Sequence, residues 1–220
     1  MAFWIATLAG WCGAYLLGSI PTAYLAGRMY GLDIRERGSK SVGATNALRV
    51  LGKAPALVVL LVDVLKGAAA IVLVRWLCSQ LFAHPLFGAP PTLDEQVWTP
   101  WAVGVAGLAA LLGHSRSVWL KFSGGKSVAT GLGVVLALSW PVALGALALF
   151  GAVTAVSRRV SLGSISAALA ATLLILGLEH PTPYRLLVVA GAAYVIVRHR
   201  ENIRRLIAGT EPRIGQSLGR

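Results

Sequence analysis

Acidic side chains are scarce in this sequence: Asp and Glu number eight, against 20 Lys and Arg, for a formal net charge of +12. Cysteine is scarcer still. Cys12 and Cys78 both fall in apolar stretches, and two such residues build neither a disulfide framework nor a metal-ligand set, so no metal is expected. Carboxylates paired as in a glycosidase, a Gly-x-Ser-x-Gly elbow and zinc-ligand spacing are all missing. Long polar segments are missing too, which leaves nothing for a second domain, and residues 1–220 read as one membrane domain. Lys and Arg do not occur before Arg28, so the first apolar stretch lacks the charged region of a cleaved signal peptide. It is expected to remain as a transmembrane helix.

What is present is apolar. The chain is 56% hydrophobic and only 13% charged, with a mean hydropathy of +0.73, which indicates an all-α polytopic membrane protein. The basic residues fall in short loops between apolar runs, a pattern of cytoplasmic membrane loops and not of a nucleic-acid surface. Seven spans are expected: Phe3–Gly27, kinked near Pro21; Ala54–Leu77; Trp101–Leu112; two helices within Val128–Ser157 joined at Trp140-Pro141; Leu162–Leu178; and Tyr184–Val197. As one helix Val128–Ser157 would be about 45 Å long, too long for a core of about 30 Å. A hairpin also puts Lys126 and Arg158-Arg159 on the same side. The loops of that side and the tail from Arg198 hold 17 of the 20 basic residues, so the N-terminus is expected outside and the C-terminus in the cytoplasm. The short spans near the centre, at about 12 to 16 residues, give roughly 18–24 Å and set their loops at headgroup depth. Asp63 and Lys66 share a face of the second span, where a mutual ion pair is expected.

Three polar stretches interrupt this pattern. Gly113–Thr130 reads GHSRSVWLKFSGGKSVAT, with Gly124, Gly125, Lys126 and Ser127 just before an apolar helix. Glycines let N–H groups approach an anion, a helix start adds a positive dipole end, and Lys126 adds a charge. A nucleotide-binding Walker loop would need glycine where Leu120 stands, so a site for a phosphate and an ordinary basic turn are the two readings left. The first basic loop runs Gly38-Ser39-Lys40-Ser41-Val42-Gly43-Ala44-Thr45-Asn46-Ala47-Leu48-Arg49, rich in small residues and hydrogen-bond donors. The tail opens His199-Arg200-Glu201-Asn202, which puts His199 and Asn202 on one helical face. His114 and His199 each end a span and are candidate bases.

Together, GSKSVGATNALR, GH followed by FSGGKSVAT, and HRENIRRLIAGTE resemble the three motifs of the bacterial membrane glycerol-3-phosphate acyltransferases that use acyl phosphate. The likeness runs from about Leu17 to Glu211 and includes the order and spacing of the motifs. It implies an inner-membrane enzyme, without cofactor and monomeric, that meets acyl phosphate, glycerol 3-phosphate and membrane lipid and makes lysophosphatidic acid and phosphate. By position in the motifs, Ser39, Arg49, Lys126, His199 and Asn202 are expected to be catalytic. Thr45, Asn46, Gly124, Gly125 and Ser127 are expected to bind substrate, together with Ser161 or Ser164; Glu201 is expected to be structural. No carboxylate is expected to act as the base, so the base is His199 or, favoured by the resemblance, a substrate phosphate oxygen. The chain departs from many members at Lys40-Ser41, where they read Gly-Asn, and at Ser127, where they read Gly. A transporter or binder of phosphorylated small molecules is the alternative; inverted repeats, which would support a transporter, are not evident.

Overall fold

The computed structural model describes residues 1–84 and 88–216. The described residues are helical, with one isolated bridge between Ser117 and Ser123. The helices are α1 (Ala2–Ser19), α2 (Thr22–Met29), α3 (Ala44–Val50), α4 (Lys53–Ala83), α5 (Glu95–Ser115), α6 (Val128–Leu138), α7 (Trp140–Ser157), α8 (Val160–Gly177), α9 (Thr182–Arg198) and α10 (Arg200–Ile207). Five stretches are long and apolar enough to cross a bilayer: Ala2–Met29, Lys53–Ala83, Glu95–Ser115, Trp140–Ser157 and Val160–Gly177. Helices α6 and α9 are shorter, at 11 and 17 residues.

Three boundaries differ from expectation. The single kinked span over Phe3–Gly27 is two helices, because Pro21 lacks an N–H and pushes Ile20 out of the helical region, to φ −52 and ψ 115. The freed carbonyls are satisfied from other helices and loops: Ser117 Oγ donates to Ser19 O at 2.6 Å and Lys66 Nζ to Ile20 O at 2.8 Å. Helix α5 has 21 residues and is not the short span expected over Trp101–Leu112. Asp94 caps it by accepting from Gln96 N at 2.7 Å, and Pro100 is tolerated inside it. The hairpin turns at Ser139, one residue before the expected place, since Pro141 fits the first turn of α7, where its missing N–H is not needed.

Packing shows the direction of each helix. Ser127 Oγ on the approach to α6 bonds Leu111 O in α5, and further along Val134 lies against Gly107, so the two helices are antiparallel. Gly145 meets Leu174 while Gly163 meets Phe150 and Thr154, which makes α7 and α8 antiparallel. Ile175 packs with Val188 and Ala168 with Val195, so α8 and α9 are antiparallel as well. One end of the bundle therefore collects the three polar stretches. The other is marked by aromatic packing of Phe3 with Phe82 and Trp98, at ring separations of 5.5 and 6.0 Å. Close helix approach depends on small residues: the space beside Gly67 on α4 is filled by the backbone of Thr130 on α6, where any side chain would collide.

Candidate active site

The first motif folds into a loop organised by one amide. Asn46 is 1% exposed; its Oδ1 accepts from Ser39 N at 2.8 Å and its Nδ2 donates to Ile34 O and Arg37 O, both at 3.1 Å. Asn46, expected to contact substrate, borders the cavity described below, while its amide holds the loop. That fixes Ser39 and helix α3, from which Thr45 and Arg49 face the same cavity.

The glycine stretch folds back on the end of α5 and takes up the carbonyls that a helix end leaves free. Gly125 N donates to His114 O at 3.1 Å, and Ser127 Oγ donates to Leu111 O at 2.7 Å. From the other side Arg198 Nη2 donates to Gly125 O at 3.0 Å. A Cβ on Gly125 would stand 2.6 Å from Val42 O and against the His114 ring, so only glycine fits. This bears on two residues expected to bind substrate. The Gly125 N–H is already bonded, and Ser127, 0% exposed, spends its hydroxyl on α5. Neither these residues nor Gly124 line the cavity; the stretch presents Lys126.

Lys126 joins the second motif to the third. Its Nζ donates to Asn202 Oδ1, Asn202 Nδ2 donates to Glu211 Oε1 at 2.7 Å, and Glu211 Oε2 accepts from Arg205 Nε at 2.7 Å. Ser161 Oγ donates to the same Glu211 Oε1 at 2.7 Å, whereas Ser164 Oγ bonds Val160 O within its own helix at 2.9 Å. Ser161 is thus the serine that belongs to the network. Glu211 is the residue that sequence reading missed and the correction to a site without carboxylates. Its signal was present, as the last residue of the third motif and one of only two acids in the tail. Glu201, by contrast, is exposed and pairs with Arg204 at 3.1 Å.

Electrostatics follow from this burial. Lys126 is pushed down to about 8 by burial, with Arg205, Arg49 and Arg198 adding repulsion against the pull of Glu211. Burial works to raise the Glu211 carboxyl, but hydrogen bonds from Ser161, Asn202 and Arg205 outweigh it and hold it below its ordinary value. His199 is 3% exposed and is pushed down to about 4, chiefly by burial, so the ring is neutral near pH 7. Its Nδ1 lies 2.8 Å from Val195 O, which selects the Nδ1–H tautomer and leaves the Nε2 lone pair free.

These groups border a cavity of about 1270 Å³. Its polar end carries five cations, Arg49, Lys53, Lys126, Arg198 and Arg205, against the carboxylates of Glu201 and Glu211. Ser39, Thr45, His199 and Asn202 line the same end. The remainder is apolar and runs between α4, α6, α7, α8 and α9, past Leu61, Val135, Ala146 and Ala171. Such a space suits a molecule with an anionic head and a long hydrocarbon tail.

Comparison with known proteins identifies the lineage. The family described as Glycerol-3-phosphate acyltransferase matches residues 8–209. The chain belongs to this family. It is 65% identical to Glycerol-3-phosphate acyltransferase 2 of Rhizobium johnstonii over 98% of this chain and 99% of the relative. It is 51% identical to the Glycerol-3-phosphate acyltransferase of a Nostoc strain over 99% and 96% of the two chains. Among solved structures, it is similar to PlsY (YgiH), an integral membrane glycerol 3-phosphate acyltransferase, in its glycerol 3-phosphate form. That match has a TM-score of 0.81 and 36% identity, and covers 95% of this chain and 96% of the other. The lysophosphatidic acid form gives 0.79 and 35%, over 95% of each chain. The enzyme is therefore an acyltransferase of a membrane-protein family. Its two motif departures have a structural meaning: Lys40 and Ser127 have φ of +59 and +61, the left-handed region that favours glycine.

Proposed function

We propose that the enzyme moves an acyl group from acyl phosphate to the sn-1 hydroxyl of glycerol 3-phosphate and releases lysophosphatidic acid and inorganic phosphate. The observation that carries this reading is the cavity itself: a polar end rich in cations, continuous with an apolar channel. The cations suit two phosphate groups held side by side, and the channel suits the acyl chain. The similar PlsY structures contain glycerol 3-phosphate and lysophosphatidic acid, which supports this substrate and this product. In this reading α1 with α2, α4, α5, α6, α7, α8 and α9 form seven spans of the inner membrane, with the motif end in the cytoplasm. Residues 1–220 form one domain, and the enzyme acts as a monomer.

An acyl phosphate is a mixed anhydride and already activated, so placement carries most of the catalysis. Lys126 and Arg49 hold the phosphates and offset their repulsion, with Ser39 and Thr45 as further donors. The sn-1 oxygen attacks the acyl carbonyl carbon, and the bond from that carbon to the phosphate oxygen breaks. The hydroxyl proton passes to a substrate phosphate oxygen. His199, lowered to about 4, is too weak a base to hold that proton near pH 7, but its free Nε2 can orient the hydroxyl. Asn202 fixes Lys126, and Glu211 fixes Asn202. No covalent acyl-enzyme forms.

The test uses purified enzyme in lipid, given acyl phosphate and glycerol 3-phosphate. One phosphate is expected per lysophosphatidic acid formed. Turnover with an acyl thioester at the same rate, or trapping of an acylated Ser39, would overturn the assignment.

A further inference from the structure

Beneath the glycine stretch lies a second cluster of buried charge that the mechanism above does not use. Asp63 Oδ1 on α4 accepts from Thr22 Oγ1 on α2 at 3.0 Å and stands 2.7 Å from Lys66 Nζ. Lys66 in turn donates to Ile20 O at the break between α1 and α2. Asp63 is therefore held by Thr22 of α2 and by Lys66 of its own helix. Facing it from α5 is His114, 8% exposed, with Nδ1 at 3.6 Å from Asp63 Oδ1. Asp63 Oδ2 and His114 Nδ1 are both buried without a hydrogen-bond partner among the described residues. The negative charge of the carboxylate, 3.6 Å from Nδ1, favours the Nδ1–H tautomer of the ring. The opposite ring edge, at Nε2, occupies the space beside the Gly125 Cα where a side chain would otherwise stand. The His114 carbonyl holds Gly125 N, and the next residue is Lys126.

We propose that His114 is a positioning residue for the phosphate of glycerol 3-phosphate. Its ring is a strut between Asp63 and Gly125 that sets the height of the loop and hence the place of Lys126. His114 does not line the cavity, so it is not the base of the reaction. A strut suits this place because Lys126 has a flexible stem, and a charge misplaced by about 1 Å is enough to cost a large part of the rate. The inference rests on the reading that Lys126 holds the substrate phosphate.

The experiment measures KM for glycerol 3-phosphate and for acyl phosphate separately, on folded enzyme in lipid. His114→Asn keeps a polar atom toward Asp63 but removes the ring edge beneath Gly125; His114→Gln reaches as far as Nε2. With Asn the KM for glycerol 3-phosphate is expected to rise about tenfold, with the KM for acyl phosphate and the pH profile of kcat unchanged. Gln is expected to lie closer to wild type. Should the Asn variant fail to fold, Thr22→Val removes a hydroxyl that steadies Asp63, and a rise of about threefold in the same KM is expected. An unchanged glycerol 3-phosphate KM in the folded variants overturns the strut, and so does a shifted pH profile of kcat, which would place His114 in proton transfer. Lys126→Ala runs beside them: if it too leaves that KM unchanged, the phosphate reading of Lys126 fails as well, whereas a raised KM in this variant alone condemns only the strut.

Discussion

Two networks of buried charge flank the glycine stretch, and they differ in what lies on their far side. Asp63, Lys66 and His114 are enclosed by α1, α2, α4 and α5, with side chains 1–7% exposed. Asn202 and Glu211 are buried and Lys126 and Arg205 half-buried, yet all four border the cavity. The enclosed network has nearly matched charge and satisfies a broken helix. The open one carries excess positive charge, which only an anionic ligand would balance. Enclosed charge is a matter of folding; charge left in excess beside a cavity is a matter of binding.

The comparison is broken most violently by Lys66→Met. Losing one partner of a buried pair costs about 3–5 kcal/mol, so little folded protein is expected in a detergent melting assay. Replacing both, as Asp63→Leu with Lys66→Met, is expected to recover more than half of the loss. A single variant that melts like wild type would show that the enclosed network is not structural. On the open side Arg49→Ala is expected to lower kcat by about 10²–10³-fold with unchanged melting, as for loss of a donor to developing charge. Arg49→Lys rescues only part, since the forked donor pair is lost. Wild-type turnover in Arg49→Ala would remove this residue from the site.

A smaller effect sharpens the contrast through pH. Lys126 is lowered to about 8, so it is charged below that pH and loses its charge above it. Phosphate binds the charged form, so KM for glycerol 3-phosphate should be flat below pH 8 and rise by up to about tenfold between pH 8 and 9. Lys126→Arg should flatten that rise, and a rise that persists in the arginine variant would assign it to another group. The smallest effect separates the two serines. Ser161→Ala removes one hydrogen bond to Glu211 and is expected to lower kcat/KM about fivefold. Ser164→Ala, whose hydroxyl bonds only within its own helix although it borders the cavity, is expected to change it by less than about twofold. Equal effects would refute the assignment of Ser161 to the Glu211 network.

Much of this was legible from residues alone. Hydropathy and basic loops indicated an all-helical membrane protein, and the proline-marked break in Val128–Ser157 lies within two residues of the observed turn at Ser139. The Asp63–Lys66 pair followed from a three-residue spacing on a helix. Hydrogen-bond allocation was not legible. Gly125, Asn46 and Ser127 are the residue types that bind phosphate, yet the structure commits the Gly125 N–H, the Asn46 amide and the Ser127 hydroxyl to its own backbone. Only tertiary packing decides whether a donor is free. Glu211 was missed for the opposite reason: its importance comes from Ser161, 50 positions away in the chain.

The break at Ile20–Pro21 bears on how the enzyme is made. The Ile20 carbonyl accepts locally from Thr22 N at 3.0 Å, but its second donor, Lys66, is synthesised more than forty residues later. Lys66 and Asp63 are themselves a poor cargo for hydrocarbon when α4 enters alone. Docking of α4 onto the α1–α2 corner adds a second donor to the Ile20 carbonyl and encloses the Asp63–Lys66 pair, so it is expected to be an early step in assembly. Chains released before Lys66 should remain open to proteases and insertion chaperones, whereas chains released after α4 should already resist them. Equal protease sensitivity of the two truncations would rule out this order of assembly.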